Sequence, residues 1–138
     1  MIPDCLPQIA EYYQVPPLLV QSILAIEGGK VGDKIGPNRN GTSDLGVGQI
    51  NTVWLPELAQ YNIDEEDLKW NACVNIAVST WILSKRYHEF GQDWQKAIMS
   101  YNAGYKLENG RKYAFKVLTK WNELHTKMEF KNEKYSQK

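Results

Sequence analysis

Pro17-Leu18-Leu19-Val20-Gln21-Ser22-Ile23-Leu24-Ala25-Ile26-Glu27-Gly28-Gly29 decides how this chain is read. Pro16-Pro17 breaks the preceding segment and then suits the first turn of a helix, where a fixed φ helps and a missing N–H costs nothing. Gly28 and Gly29 end that helix. Counting back three, four and seven residues from Glu27 gives Leu24, Ile23 and Val20, one helical face. A carboxylate on a core-facing stripe is costly to ionise, and the negative end of the helix dipole adds to that cost. The pattern therefore predicts a raised pKa for Glu27, the property of a general acid working near neutral pH. Periodicity alone leaves a second reading equally open, a Glu that caps the exposed end of a helix.

Asp44 stands seventeen residues downstream and heads the run Asp44-Leu45-Gly46-Val47-Gly48-Gln49-Ile50-Asn51. Gly28, Gly29, Gly32, Gly36, Pro37 and Gly41 make the intervening segment a loop or small hairpin. Upstream, a short helix is predicted from about Pro3 to Tyr13, capped by Asp4. Downstream, a helix is predicted from about Gln49 to Tyr61, with Pro56 as a kink or break. Asn62 to Asp67 reads as an acidic turn into further helix. From Asn71 to Phe90, Cys73, Ile76, Ala77, Thr80, Leu83, Ser84 and Tyr87 share one face, while Val74, Val78 and Trp81 add a second, so this helix is expected at the buried centre. Two more helices are expected near Trp94–Asn102 and Gly110–Phe130, and residues 131–138 read as a flexible tail. The expectation is a single, mostly α domain over residues 1–130, with at most a small β-hairpin or loop after the Glu27 helix.

The 138 residues suffice for one domain with a real core. Net charge is zero but unevenly spread: residues 1–105 carry seven basic and twelve acidic side chains, and residues 106–138 carry nine and four. The basic end reads first as a solvated helix face, second as a contact for an anionic polymer or a partner protein; nothing resembles a nucleic-acid module. Five Trp and eight Tyr are generous for the length. Such a surplus fits a core plus a groove lined with flat rings, as sugar binders use, although any single ring is first a core residue. No stretch approaches the roughly 20 apolar residues of a membrane span. Met1-Ile2-Pro3-Asp4-Cys5 shows no secretory leader, which leaves a cytoplasmic chain or a mature form with an added Met. Cys5 and Cys73 by themselves read as buried free thiols or as one disulfide tying the N-terminus to the central helix.

Other motifs fail on their own chemistry. Gly29-Lys30 has Val31 where a phosphate loop needs Ser or Thr, and it follows a helix instead of a strand. No register between Asp33 and Val47 supplies an EF-hand's ligands, and His88 and His125 lack zinc-ligand spacing, so no metal is expected. Asn40-Gly41-Thr42 is formally a glycosylation sequon, and no Ser or Cys nucleophile has a local signature.

Four motifs in order then resemble a lysozyme-like lytic transglycosylase over about residues 5–121: Ile26-Glu27-Gly28-Gly29, Gly46-Val47-Gly48-Gln49-Ile50-Asn51, Ser100-Tyr101-Asn102-Ala103-Gly104, and Tyr113-Ala114-Phe115-Lys116-Val117. More narrowly the chain is similar to the small specialised enzymes that accompany type IV secretion, conjugation and type III secretion systems. The resemblance implies that Glu27 protonates the bridging oxygen of the β-1,4 bond between N-acetylmuramic acid and N-acetylglucosamine and then acts as base, while the muramoyl 6-hydroxyl closes an anhydro ring. It implies no metal and no cofactor, with peptidoglycan strands as substrate. It implies that Gln49, Tyr101, Asn102 and Tyr113 line the cleft and support the glutamate. Tyr101 and Tyr113 read equally as core tyrosines, whereas helix packing does not need Asn102. Export to the periplasm follows from the resemblance, and with it a Cys5–Cys73 disulfide; the expected state is a monomer, with secretion or conjugation components as possible partners.

Two departures qualify the resemblance. Gly28 stands where the family commonly has Ser after its Glu. Asp44 and the run it heads also resemble the segment that carries the second catalytic carboxylate of c-type lysozymes, which gives a hydrolytic alternative using Glu27 and Asp44. Against this, Asp is a common turn residue, and Asp44 reads as well as a cap. A non-catalytic glycan-binding assembly module is the competing class, and a densely disulfide-bonded eukaryotic lysozyme is disfavoured by the two cysteines.

Overall fold

Helix α1 (Leu6–Tyr13) begins later than the sequence suggests. Its N-cap is Cys5 and not Asp4, with no side-chain cap; Pro7 in the first turn and left-handed Gln14 at φ 56° bound it instead. Helix α2 runs Pro17–Glu27 as the punctuation predicts, with Gly28 in the left-handed conformation at φ 65°. Val20 and Ile23 of its apolar stripe are buried. The computed structural model describes residues 3–136.

The glycine-rich segment forms more sheet than a hairpin. Strands β1 (Lys34–Ile35), β2 (Asp44–Leu45) and β3 (Ile50–Asn51) make an antiparallel three-stranded sheet in that order. Asp44 pairs with Ile35 on one side and Asn51 on the other. The helix expected from Gln49 is therefore corrected: Ile50 and Asn51 are strand, and Gln49 sits at φ 51°, outside helical geometry. Helical turns begin only at Thr52, where the Asn51 side chain caps the Val53 amide at 2.9 Å. Pro56 opens α3 (Leu55–Leu58) from its first turn and kinks nothing.

A reciprocal capping box between Asp64 and Asp67 starts α4 (Glu65–Trp70). Helix α5 (Ala72–Glu89) is the buried centre, α6 spans Trp94–Ala103 and α7 spans Arg111–Ser136. Residues 131–136 of the expected tail are thus drawn as helix, and residues 137 and 138 lie outside the described residues. This is the expected mostly α, lysozyme-like class, with seven α-helices and one small sheet among the described residues.

Two apolar clusters flank α5. Leu19, Ile23, Ile76, Leu83, Ile98 and Val117 anchor the larger one, between α1, α2, α5, α6 and α7. Leu45, Ile50, Leu58, Leu68, Val78 and Ile82 make the smaller one, beneath the sheet. Tyr101 packs against both. The Cys5–Cys73 disulfide, spanning 68 residues with Cα atoms 6.1 Å apart, ties the start of α1 to the start of α5. Among the described residues no helix is long and apolar enough to cross a membrane.

Candidate active site

Helix α5 carries one face that its apolar pattern does not announce. Asn75, Ser79, Ile82 and Arg86 recur at helical spacing, and all four are buried. Asn75 is the hub. Its amide nitrogen donates to the carbonyls of Leu45 and Leu68, each at 2.9 Å, and its side-chain carbonyl accepts the Gly48 amide at 2.9 Å. These bonds clamp the Gly46–Gln49 turn against the centre of the molecule. The approach is so close that a Cβ on Gly46 would lie 2.4 Å from the Asn75 amide nitrogen, and one on Gly48 2.1 Å from the Ser79 hydroxyl. Glycine at both positions is a packing requirement.

The clamped turn presents its groups to a cleft of about 480 Å³. Glu27, Asp44, Gln49, Tyr101 and Asn102 all line it, so five of the six residues expected at the site share one wall-to-wall space. The sixth, Tyr113, sits behind Glu27, its ring parallel to Tyr101 within 7° at a centroid distance of 6.5 Å. The Tyr101 hydroxyl donates to the Gly48 carbonyl at 2.9 Å, which fixes α6 to the turn. Gln49 folds back to donate to the Gly46 carbonyl at 2.8 Å.

Burial pushes the Glu27 carboxyl up to about 7; the neighbouring charge of Asp44 adds to the rise, and the Tyr113 hydroxyl draws it partly back. Tyr113 is itself held far above the ordinary phenol range, by burial first and by Glu27 second. Its hydroxyl is buried and finds no partner at good hydrogen-bond geometry, so its effect on Glu27 is that of a long or poorly aligned contact. A helix-end carboxyl that keeps its proton to about neutrality is poised to give it away.

Asp44 is held differently. Asn51 donates to one carboxylate oxygen at 3.2 Å and Asn38 to the other at 3.3 Å, and Thr42 links both amides through its own hydroxyl at 2.9 and 3.1 Å. Asn40, the sequon residue, accepts from the Thr42 hydroxyl at 2.6 Å. The cleft therefore sets a half-buried, proton-retaining Glu beside an Asp fixed in a polar, hydrogen-bonded setting.

Ile50, Trp54 and Ile82 make the apolar part of the wall. The Arg86 guanidinium lies 5.1 Å from the Trp54 ring and 4.5 Å from the Tyr105 ring. It donates to Tyr105 at 2.6 Å and to Glu89 at 2.8 Å, and Tyr105 and Glu89 share a further short hydrogen bond. Sequence reasoning missed Asn38, Thr42, Asn51, Trp54, Asn75 and Arg86. For Asn75 and Arg86 the available signal is their helical spacing with Ser79, three polar residues in line on a helix otherwise apolar on two faces; the other four carry no such local signal.

Comparison with known proteins follows this geometry. Residues 4–122 match the family model of the transglycosylase SLT domain. A peptidoglycan-binding-like protein of Escherichia coli O157:H7 is 35% identical over 133 residues, covering 87% of this chain and 79% of that protein. The invasion protein IagB of Salmonella typhimurium (strain SL1344) is 30% identical over 124 residues, covering 88% and 77%. A putative peptidoglycan-binding-like protein of Escherichia coli (strain K12) is 32% identical over 116 residues, covering 79% and 73%.

Proposed function

The chain belongs to the transglycosylase SLT domain family and is a peptidoglycan lytic transglycosylase, and on that premise we propose that Glu27 is its single acid–base catalyst, acting on the β-1,4 bond between N-acetylmuramic acid and N-acetylglucosamine. The observation that carries the assignment of Glu27 is its half-buried place at the end of α2 on the cleft wall, where desolvation pushes its carboxyl up to about 7.

The steps balance on one residue. Protonated Glu27 gives its proton to the bridging oxygen, the C1–O bond breaks, and the leaving sugar departs with a hydroxyl. The Glu27 carboxylate then takes the proton of the muramoyl 6-hydroxyl as that oxygen attacks C1. The anhydro ring closes and Glu27 is protonated again, with no water consumed. A phenol behind the carboxylate, as Tyr113 is, stabilises the ionised intermediate state. Gln49 and Asn102 offer amides to the sugar N-acetyl groups, and Tyr101 holds the turn that carries Gln49.

Asp44 supports a second reading. It shares the cleft with Glu27, and its charge is felt by Glu27. A fixed carboxylate opposite the acid either stabilises the oxocarbenium-like transition state or directs hydrolysis. Products decide between them: anhydro-muropeptides, one water lighter than reducing-end products, mark transglycosylation, and reducing ends mark hydrolysis. Mass analysis of peptidoglycan digested by the wild type, Glu27→Gln and Asp44→Asn is the experiment. Full cleavage by Glu27→Gln would remove the proposal. Reducing-end products abolished in Asp44→Asn would replace it with the two-carboxylate hydrolase.

We place the enzyme in the periplasm, opening the wall locally for a secretion or conjugation apparatus, on the support of a peptidoglycan substrate, the disulfide and the likeness to an invasion protein.

A further inference from the structure

The aromatic surplus of the sequence is not used up by the cleft. A second groove of about 430 Å³ lies between the end of α1, the turns around Leu58–Tyr61 and the outer face of α5, with Tyr12, Tyr13, Tyr61 and Trp81 as its rings. Tyr12 is 79% exposed and Tyr61 61%, so these rings are offered to solvent and not spent on the core. The Tyr12 and Tyr13 rings meet edge-on at 4.8 Å, and the Tyr13 phenol is held above its ordinary range by burial and then by Tyr12 and Tyr61. Among the described residues no charged side chain lines the groove. Lys85 stands over the Trp81 ring at 5.5 Å but is paired with Glu57 at 3.4 Å.

Exposed aromatic rings carrying phenol hydroxyls suit a polyhydroxylated ligand, whose C–H faces stack on rings and whose hydroxyls meet phenols.

The groove also neighbours the cleft. Trp54 lines the cleft and meets Trp81 edge-on at 5.7 Å, and Trp81 meets Tyr61 edge-on at 6.4 Å. On α5, Ile82 faces the cleft while Val78 and Trp81 face the groove, within about one helical turn. We propose that this groove is a second site for the glycan strand, taking sugars beyond those the cleft holds, along the line Trp54–Trp81–Tyr61. The proposal rests on the glycan-cleaving reading above.

The test pairs chain length with a double variant, Tyr12→Ala with Tyr61→Ala, at two exposed positions whose effect on folding is checked by thermal melting. Substrates are long glycan strands freed of peptide and a tetrasaccharide of the same repeat. For the double variant, KM on long strands is expected to rise about five- to tenfold, with kcat unchanged and tetrasaccharide kinetics unmoved. An unchanged KM on long strands overturns the proposal, and so do equal losses on both substrates. Sedimentation of strands with Glu27→Gln, with and without the double variant, reads the groove without turnover. Weaker retention by the double variant supports it even if the parent enzyme cleaves nothing, a result that would defeat the catalytic reading alone; equal retention overturns it. A loss confined to strands that still carry stem peptides assigns the groove to peptide and overturns it as well.

Discussion

The side-chain carbonyl of Asn75 accepts the Gly48 amide at 2.9 Å, and through that bond the central helix sets the floor of the cleft. Asn75 is fully buried, and both its amide hydrogens are also used, on Leu45 and Leu68. Replacing it with Ala strands one backbone donor and two acceptors away from water. At roughly 1–3 kcal/mol for each buried group left unpaired, Asn75→Ala is expected to cost about 3–5 kcal/mol, allowing for partial relaxation. Urea unfolding measures the loss; a cost under about 1 kcal/mol would mean that the turn holds itself.

Glu27 makes stability and activity depend on pH in opposite senses to an ordinary surface Glu. Its folded pKa of about 7 lies above the model-peptide value of 4.5, so the folded chain keeps a proton the unfolded chain gives up. That contribution is fully present below 4.5 and is lost as pH rises through 7, to the extent of on the order of 3 kcal/mol. Glu27→Gln is neutral at every pH and escapes the loss. Its melting temperature should match the wild type near pH 4 and exceed it at pH 8. Wild-type activity should fall as pH rises through about 7, as the acid loses its proton.

The two neighbours of Glu27 move that alkaline limb in opposite directions. Asp44 raises the Glu27 pKa by its charge, so Asp44→Asn should shift the limb to lower pH in whatever activity remains. Tyr113 lowers it, so Tyr113→Phe should shift the limb to higher pH. Profiles of kcat/KM between pH 5 and 9, a range of roughly two units either side of neutrality, distinguish them. Shifts of the same sign would mean that the variants act by rearranging the cleft and not through charge and hydrogen bonding.

How much of this was legible depends on where each signal lies. Helix α2 is marked locally, by Pro16-Pro17 at one end, Gly28-Gly29 at the other and an apolar stripe between, and it runs Pro17–Glu27 between those marks. Ile50 and Asn51 are strand only because β2 lies beside them, a pairing that no local pattern announces, and Gln49 leaves helical geometry to make that approach. The Asn75–Arg86 stripe has helical spacing, but polar residues on a helix face normally mean water. Its burial depends on the Gly46–Gln49 turn, on Tyr101 and on Trp54, all supplied by distant parts of the chain. The motif residues of the cleft were therefore easier to find than the rest of its lining and the side chains that hold it open.

The Cys5–Cys73 disulfide closes a loop of 68 residues between α1 and α5. On the chain-entropy account a loop of that length contributes about 4 kcal/mol by restricting the unfolded state. Cys5→Ser combined with Cys73→Ser should lower the urea midpoint accordingly while leaving the cleft residues in place. Loss of activity without loss of stability would contradict this, because it would put the bridge in the site and not in the scaffold.

Gly28 and Gly29 follow the acid in sequence but answer to different constraints. Gly28 has φ 65° and open space around it, with no atom within 4 Å of where a Cβ would sit. Serine, common after the Glu in this family, should therefore be tolerated there at a backbone cost of about 1–2 kcal/mol. Gly29 has no positive φ to excuse it, yet a Cβ would lie 2.1 Å from the Gly46 carbonyl oxygen and 2.9 Å from that of Val47. Both are backbone atoms of the clamped turn, so neither can swing aside. Gly29→Ala must push the Gln49 turn away from the end of α2 and widen the distance between the acid and its cleft. Its activity should fall at least tenfold below that of Gly28→Ser, about 1.4 kcal/mol in transition-state stabilisation. If Gly29→Ala retained full kcat while Gly28→Ser lost it, contact with the turn would not be what positions Glu27.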